Sequence, residues 1–250
     1  MILKSILLIG LQVASTAAAV RGQEKDQVPV YLFPGQGADQ REFMNFRVPE
    51  GYDTVHMEYP MPRKKETLSE YALRFIPMID QSKPFVLLGI SLGGMICTEL
   101  ADTLRPQNVI LVSSAKSNRE LPGRYRFMRK FPLNRVVPEN LTKAGALVLQ
   151  GLVEPDIYTD RDTFRAMLRK KDPAYLKRTV DMIVHWDRTF FDPGIVQIHG
   201  DRDHTIPLKN VKTDFVIHGG SHVMILTRAE DVNRIVNEIL TGREMNPGRF

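Results

Sequence analysis

The chain has a single cysteine, Cys97, in 250 residues, so no disulfide within the chain can form. It lacks a hydrophobic run of membrane length. The apolar stretch from Ile6 to Ala19 is broken by Gln12, Ser15 and Thr16, and a spanning helix needs roughly 20 apolar residues. There is no low-complexity tract and no internal repeat, which argues against repeat architectures. Charge of one sign is not in large excess. The net charge of +5 and pI near 9.3 favour anionic surroundings weakly and do not call for nucleic acid. A phosphate-cradling loop is missing too. Pro34-Gly35-Gln36-Gly37 has the glycines of one but no Lys-Ser/Thr after it.

What is present is an ordinary globular composition, 43% hydrophobic and 25% charged. The length suits one sizeable core and is short for two domains. The first residues read as an address label: Lys4, the apolar stretch, then Ala17-Ala18-Ala19 before charge returns at Arg21. This predicts a signal peptide over residues 1–19 and export to the periplasm or beyond, with an uncleaved membrane anchor as the alternative. No cysteine lies there to carry a lipid.

From residue 28 on, short apolar runs alternate with helical spacing. Six runs read as strands: 28–33, 52–59, 85–90, 108–114, 195–200 and 214–219. Helices are predicted over 67–79 and 228–240, each opened by a capping box (Thr67 with Glu70, Thr227 with Glu230), and over 92–105. Near-continuous apolar strands separated by helices argue an α/β fold with a mostly parallel sheet and helices on both faces. Residues 28–114 and 194–240 form this core. Residues 115–193 break the rhythm with helical stretches alone, at 160–170 and 173–186, and read as a lid over the carboxyl edge of the sheet.

Ligands of open α/β sheets bind at that edge. Ser91 falls there, in Gly89-Ile90-Ser91-Leu92-Gly93, between a strand and a helix. The turn is so sharp that the residues two before and two after the serine must be small. A serine needs a base, and the base an orienting acid. Of six histidines, His222 follows Gly219-Gly220-Ser221 on a loop after the last strand and can reach over Ser91. His218 ends that strand and is expected to point into the packing, and His199 reads as structural. His56 and His185 lack local support. Asp203 is the chosen acid in Gly200-Asp201-Arg202-Asp203, with Asp201 tying down the turn. The loop after residue 114 offers only Glu120. The backbone N–H groups of Leu92 and Gln36 are the expected oxyanion donors.

Four stretches, FPGQGAD, GISLGG, HGDRDHTIP and GGSHVM, resemble the α/β-hydrolase superfamily in order and spacing, over about residues 28–240. The resemblance implies an α/β-hydrolase fold. It also supports Asp203 over Asp201, since the family's acid lies three residues after the glycine. Two departures stand out: Pro34 where many members have histidine, and the absence of the family's first two strands, since only about eight residues separate the expected cleavage site from VPVYLF. The expected activity is hydrolysis of a carboxylic ester or thioester through an acyl-enzyme, with no metal or cofactor. Acyl transfer or amide cleavage on the same residues, and a catalytically silent binding module, are the alternatives.

The insertion is expected to govern specificity. Residues 116–135 hold seven cations, Lys116, Arg119, Arg124, Arg126, Arg129, Lys130 and Arg135, interleaved with Tyr125, Phe127 and Phe131. They read as a solvated amphipathic helix, as a contact for an anionic membrane surface or an anionic substrate, or, with nothing else in the chain to support it, as a nucleic-acid contact. Met167, Leu168, Met182 and Ile183 are either pocket lining or ordinary packing, and Cys97 reads as a small core residue.

Overall fold

The structure is a computed structural model and describes residues 27–145, 161–190 and 192–242. The signal-peptide reading lies outside the described residues. Among them, no helix is long and apolar enough to cross a membrane.

Six strands form one sheet: β1 (Val28–Phe33), β2 (Tyr52–His56), β3 (Val86–Ile90), β4 (Asn108–Val112), β5 (Val196–Gly200) and β6 (Phe215–Ile217). The order is β2-β1-β3-β4-β5-β6, and every neighbouring pair is parallel. Side chains alternate between two cores. Tyr31, Phe33, Leu87 and Leu111 face one, and Val30, Leu32, Val86, Leu88, Ile90 and Val112 face the other. Both faces of β3 are therefore dry, which is why its sequence runs apolar without interruption.

The longer helices among the described residues are α1 (Leu68–Leu73), α2 (Leu92–Ala101), α3 (Gly123–Lys130), α4 (Arg161–Lys170), α5 (Pro173–His185) and α6 (Ala229–Thr241). Helices α1 and α2 cover the first core, and α6 covers the second. The Thr67–Glu70 capping box makes both of its bonds. The helix expected over 67–79 is split, because Pro77 has no N–H to extend the ladder and the chain tightens into a 3-10 turn at Ile76–Met78. The second capping box does not form. Thr227 already ends a short helix, Met224–Thr227, so it cannot take the extended backbone of a cap, and Arg228 precedes α6 instead. Gly242 stops α6 in the left-handed conformation, φ 63°.

Between β4 and β5, the described residues hold helices and no strand. This insertion rests on loops at the carboxyl edge of the sheet. The Gln36 side chain, after β1, donates to the Leu176 carbonyl (3.2 Å) and to Thr179 Oγ1 (2.8 Å) on α5. Arg124 of α3 reaches the Thr205 carbonyl after β5.

Candidate active site

Ser91 stands between β3 and α2 with φ 50° and ψ −117°, a left-handed backbone that costs a non-glycine residue on the order of 1–3 kcal/mol. The surroundings hold it there. Ser91 N–H donates to the Val112 carbonyl (3.1 Å), and its own carbonyl accepts from Ser114 Oγ (2.6 Å). A Cβ on Gly89 would lie 2.4 Å from the Gly93 carbonyl, and one on Gly93 would lie 2.1 Å from the Phe33 carbonyl. No side chain fits at either position. The second clash also shows what the glycine achieves: the first turn of α2 touches the end of β1, beside the loop Pro34–Asp39.

His222 lies after β6 with Nε2 at 2.9 Å from Ser91 Oγ and Nδ1 at 2.8 Å from Asp203 Oδ2. The ionised carboxylate can only accept, so Nδ1 carries the proton and Nε2 is left to accept from the Ser91 hydroxyl. Asp203 is buried, and its Oδ1 takes the Ile206 N–H at 2.7 Å. Burial alone would raise its pKa. The His222 charge and hydrogen bonds from His199 and His222 outweigh burial and hold the carboxyl well below the usual carboxylate range. The structure thus brings Ser91, His222 and Asp203 into one hydrogen-bonded chain. The Gln36 and Leu92 amides have no acceptor among the described residues, as open oxyanion donors require.

The other expected groups fall elsewhere. Asp201 accepts from Gly219 N–H (2.7 Å) and His218 Nδ1 (2.9 Å), so it does tie down the turn. His218 does not point into the packing. Its side chain is 72% exposed, because Asp201 draws the ring outward. Glu120 is buried and accepts from the Lys116 and Lys212 amides. Leu168 packs with Tyr175 and Leu176 beside Gly37, while Met182 and Ile183 join the core under Trp186. Cys97 is fully buried, which raises its thiol pKa far above the ordinary value.

Two neighbours were not assigned to the site from sequence. His199 is fully buried with Nε2 at 2.7 Å from the Ile206 carbonyl and 3.2 Å from Asp203 Oδ2. The carbonyl can only accept, so Nε2 carries the proton, and Nδ1 accepts from Gln197 Nε2 at 3.3 Å. Gln197 also donates to the Ser114 carbonyl at 2.8 Å. A buried polar chain therefore runs behind the site from Asp203 to the residue that holds Ser91. Polar Gln197 and His199 at alternate positions of an apolar strand were the signal. Glu42 is the second neighbour, buried in the 3-10 turn Gln40–Phe43, and no pattern in the sequence marks it.

A serine in a strained turn, a histidine within reach, a buried acid behind it and two open amides fit nucleophilic acyl chemistry. The comparisons agree at the level of family. The sequence pattern of the alpha/beta hydrolase family matches residues 14–235, and the chain belongs to that family. No curated protein matches the chain. Among solved structures, the chain is similar to a hydrolase from Pseudomonas aeruginosa, with 15% identity, 86% of this chain and 90% of that one covered, and a TM-score of 0.65. It is similar to the enol-lactonase from Burkholderia xenovorans at 15% identity, 88% and 94% coverage and a TM-score of 0.65. An esterase from Thermogutta terrifontis aligns at 14% identity, 86% and 90% coverage and a TM-score of 0.60. At these identities the likeness is one of fold.

Proposed function

We propose that the protein is a serine hydrolase that cleaves a carboxylic ester or thioester. The observation that supports this most directly is the Ser91–His222–Asp203 chain at the carboxyl edge of the sheet. Ser91 Oγ attacks the acyl carbon as His222 Nε2 takes its proton. Asp203 holds the imidazole in the required tautomer and stabilises its charged form. The Leu92 and Gln36 amides receive the oxyanion. His222 returns the proton to the leaving group, and water then releases the acid by the same route. The test is a panel of aryl esters and acyl thioesters assayed with wild type and Ser91→Ala. Turnover that vanishes in the variant is the expected result. Equal turnover in both would place the chemistry elsewhere.

A second reading concerns a surface. Of the seven cations in the basic segment, Lys116 is buried on Asp214 (3.2 Å) and Arg135 pairs with Asp181 (2.9 Å). The other five meet no carboxylate among the described residues. Helix α3 buries none of its residues, and Phe127 and Phe131 are 56% and 48% exposed with rings 5.1 Å apart. Beside them is a cleft of about 380 Å³, with Leu121, Val184 and Trp186 in its wall and Arg119, Arg126 and Arg129 around it. Apolar rings among uncompensated cations suit an anionic lipid surface. Vesicles with phosphatidylglycerol should therefore sediment the protein at low salt, and pure phosphatidylcholine should not. Phe127→Ser with Phe131→Ser should lower the bound fraction several-fold. Binding indifferent to lipid charge would overturn this reading.

A further inference from the structure

Glu42 is 2% exposed and has no part in the proton transfers described above. Its Oε2 accepts the Gly35 N–H at 2.8 Å. A Cβ built on Gly35 would lie 3.2 and 3.5 Å from the two carboxyl oxygens of Glu42 and 3.6 Å from Cβ of Ser91. The carboxyl and the serine thus flank one glycine, and the next residue is Gln36. Loop Pro34–Asp39 is held elsewhere by the Tyr59 hydroxyl on the Pro34 carbonyl (2.8 Å) and by the Gln36 side chain on α5. The Gly35 amide has Glu42 alone.

We infer that Glu42 is a positioning residue, which fixes the Pro34–Gly35 peptide, one residue before Gln36, so that the Gln36 N–H is presented to the oxyanion. The inference rests on the hydrolase reading for its functional meaning, though the contact itself does not. A carboxyl suits the place because it accepts the Gly35 N–H whether or not it is ionised. Its ionised form is the less suitable one, since a second negative charge beside the oxyanion opposes the charge formed on attack. Burial raises the pKa of Glu42 to about 7. The Gly35 hydrogen bond, His222 from the loop after β6 and Lys171 from the α4–α5 turn act to lower it, and Asp39, paired with Arg41, acts to raise it.

Two variants separate an acceptor from a mere filler. Glu42→Gln keeps an acceptor for Gly35 and cannot ionise. Glu42→Met keeps the volume and has no such acceptor. Glu42→Met should lose 10- to 100-fold in kcat at nearly unchanged KM, and Glu42→Gln should restore most of it. Glu42→Gln should also gain on wild type as pH rises from 6 to 9. Amide NMR tests the contact without turnover. The Gly35 and Gln36 resonances of wild type should titrate near neutral pH and stay still in Glu42→Gln, so this reading survives even if Glu42→Met does not fold. Gly35 and Gln36 resonances that ignore both pH and substitution would overturn the inference. So would wild-type kcat in Glu42→Met. A wild-type protein with no turnover on any ester would instead refute the hydrolase reading, and the amide resonances would still decide the role of Glu42.

Discussion

In the proposed mechanism His222 and Asp203 activate the Ser91 hydroxyl, so the effects of substitution should be steep and unequal. Ser91→Ala and His222→Ala should each cost on the order of 10⁴–10⁶ in kcat, and Asp203→Asn roughly 10³–10⁴, with circular dichroism unchanged. The acids also set how stability follows pH. Asp203 has a folded pKa below its unfolded value, so its stabilisation is present above about pH 4 and is lost as pH falls through the folded value. Asp203→Asn should flatten the acid end of the melting profile. Glu42 behaves oppositely. Between about pH 4.5 and 7 the folded chain keeps a proton that the unfolded chain has released, so stability falls as pH rises, by up to about 3 kcal/mol. Glu42→Gln should therefore melt above wild type at pH 8 and level with it at pH 4.5. Ser91, Asp203 and His222 were legible because each sits in a short motif at a strand end. Glu42 was not, because a four-residue 3-10 turn has no periodicity to show which side chain turns inward.

At the scale of elements, the site depends on how closely α2 approaches β1. Gly93→Ala puts a methyl against the Phe33 carbonyl and should destabilise the fold on the order of 3 kcal/mol, read as a lower urea midpoint. The insertion is tied to loop Pro34–Asp39 by the Gln36 side chain on Thr179 and the Leu176 carbonyl, and by the Asp39 N–H on Met167 Sδ. Thr179→Val keeps the shape and removes the first of these acceptors. It should cost about 1 kcal/mol of stability and lower kcat more than it changes KM. Five of the six strands were visible as apolar runs, because a parallel sheet covered on both faces demands them, and β2, half exposed, showed only as an alternation. Helix ends were harder to read. Pro77 and the turn at Met224–Thr227 change local geometry without altering the apolar stripe, and the stripe is what the spacing reports. His218 was misread for a related reason: a strand-end position does not say which way a ring turns once Asp201 offers it a partner.

For the whole molecule, a parallel sheet brings residues 91, 203 and 222 to one edge although they lie far apart in the chain. The family fixes that edge, and the proposal is that the insertion and its basic face fix what reaches it. The most direct measurement is labelling with a fluorophosphonate probe, followed by mass spectrometry of the adduct and repeated on Ser91→Ala. An activated serine gives a single adduct on Ser91 that disappears in the variant. A folded wild-type protein that takes up no probe, or takes it up equally without Ser91, would contradict the proposal that this chain is a serine hydrolase.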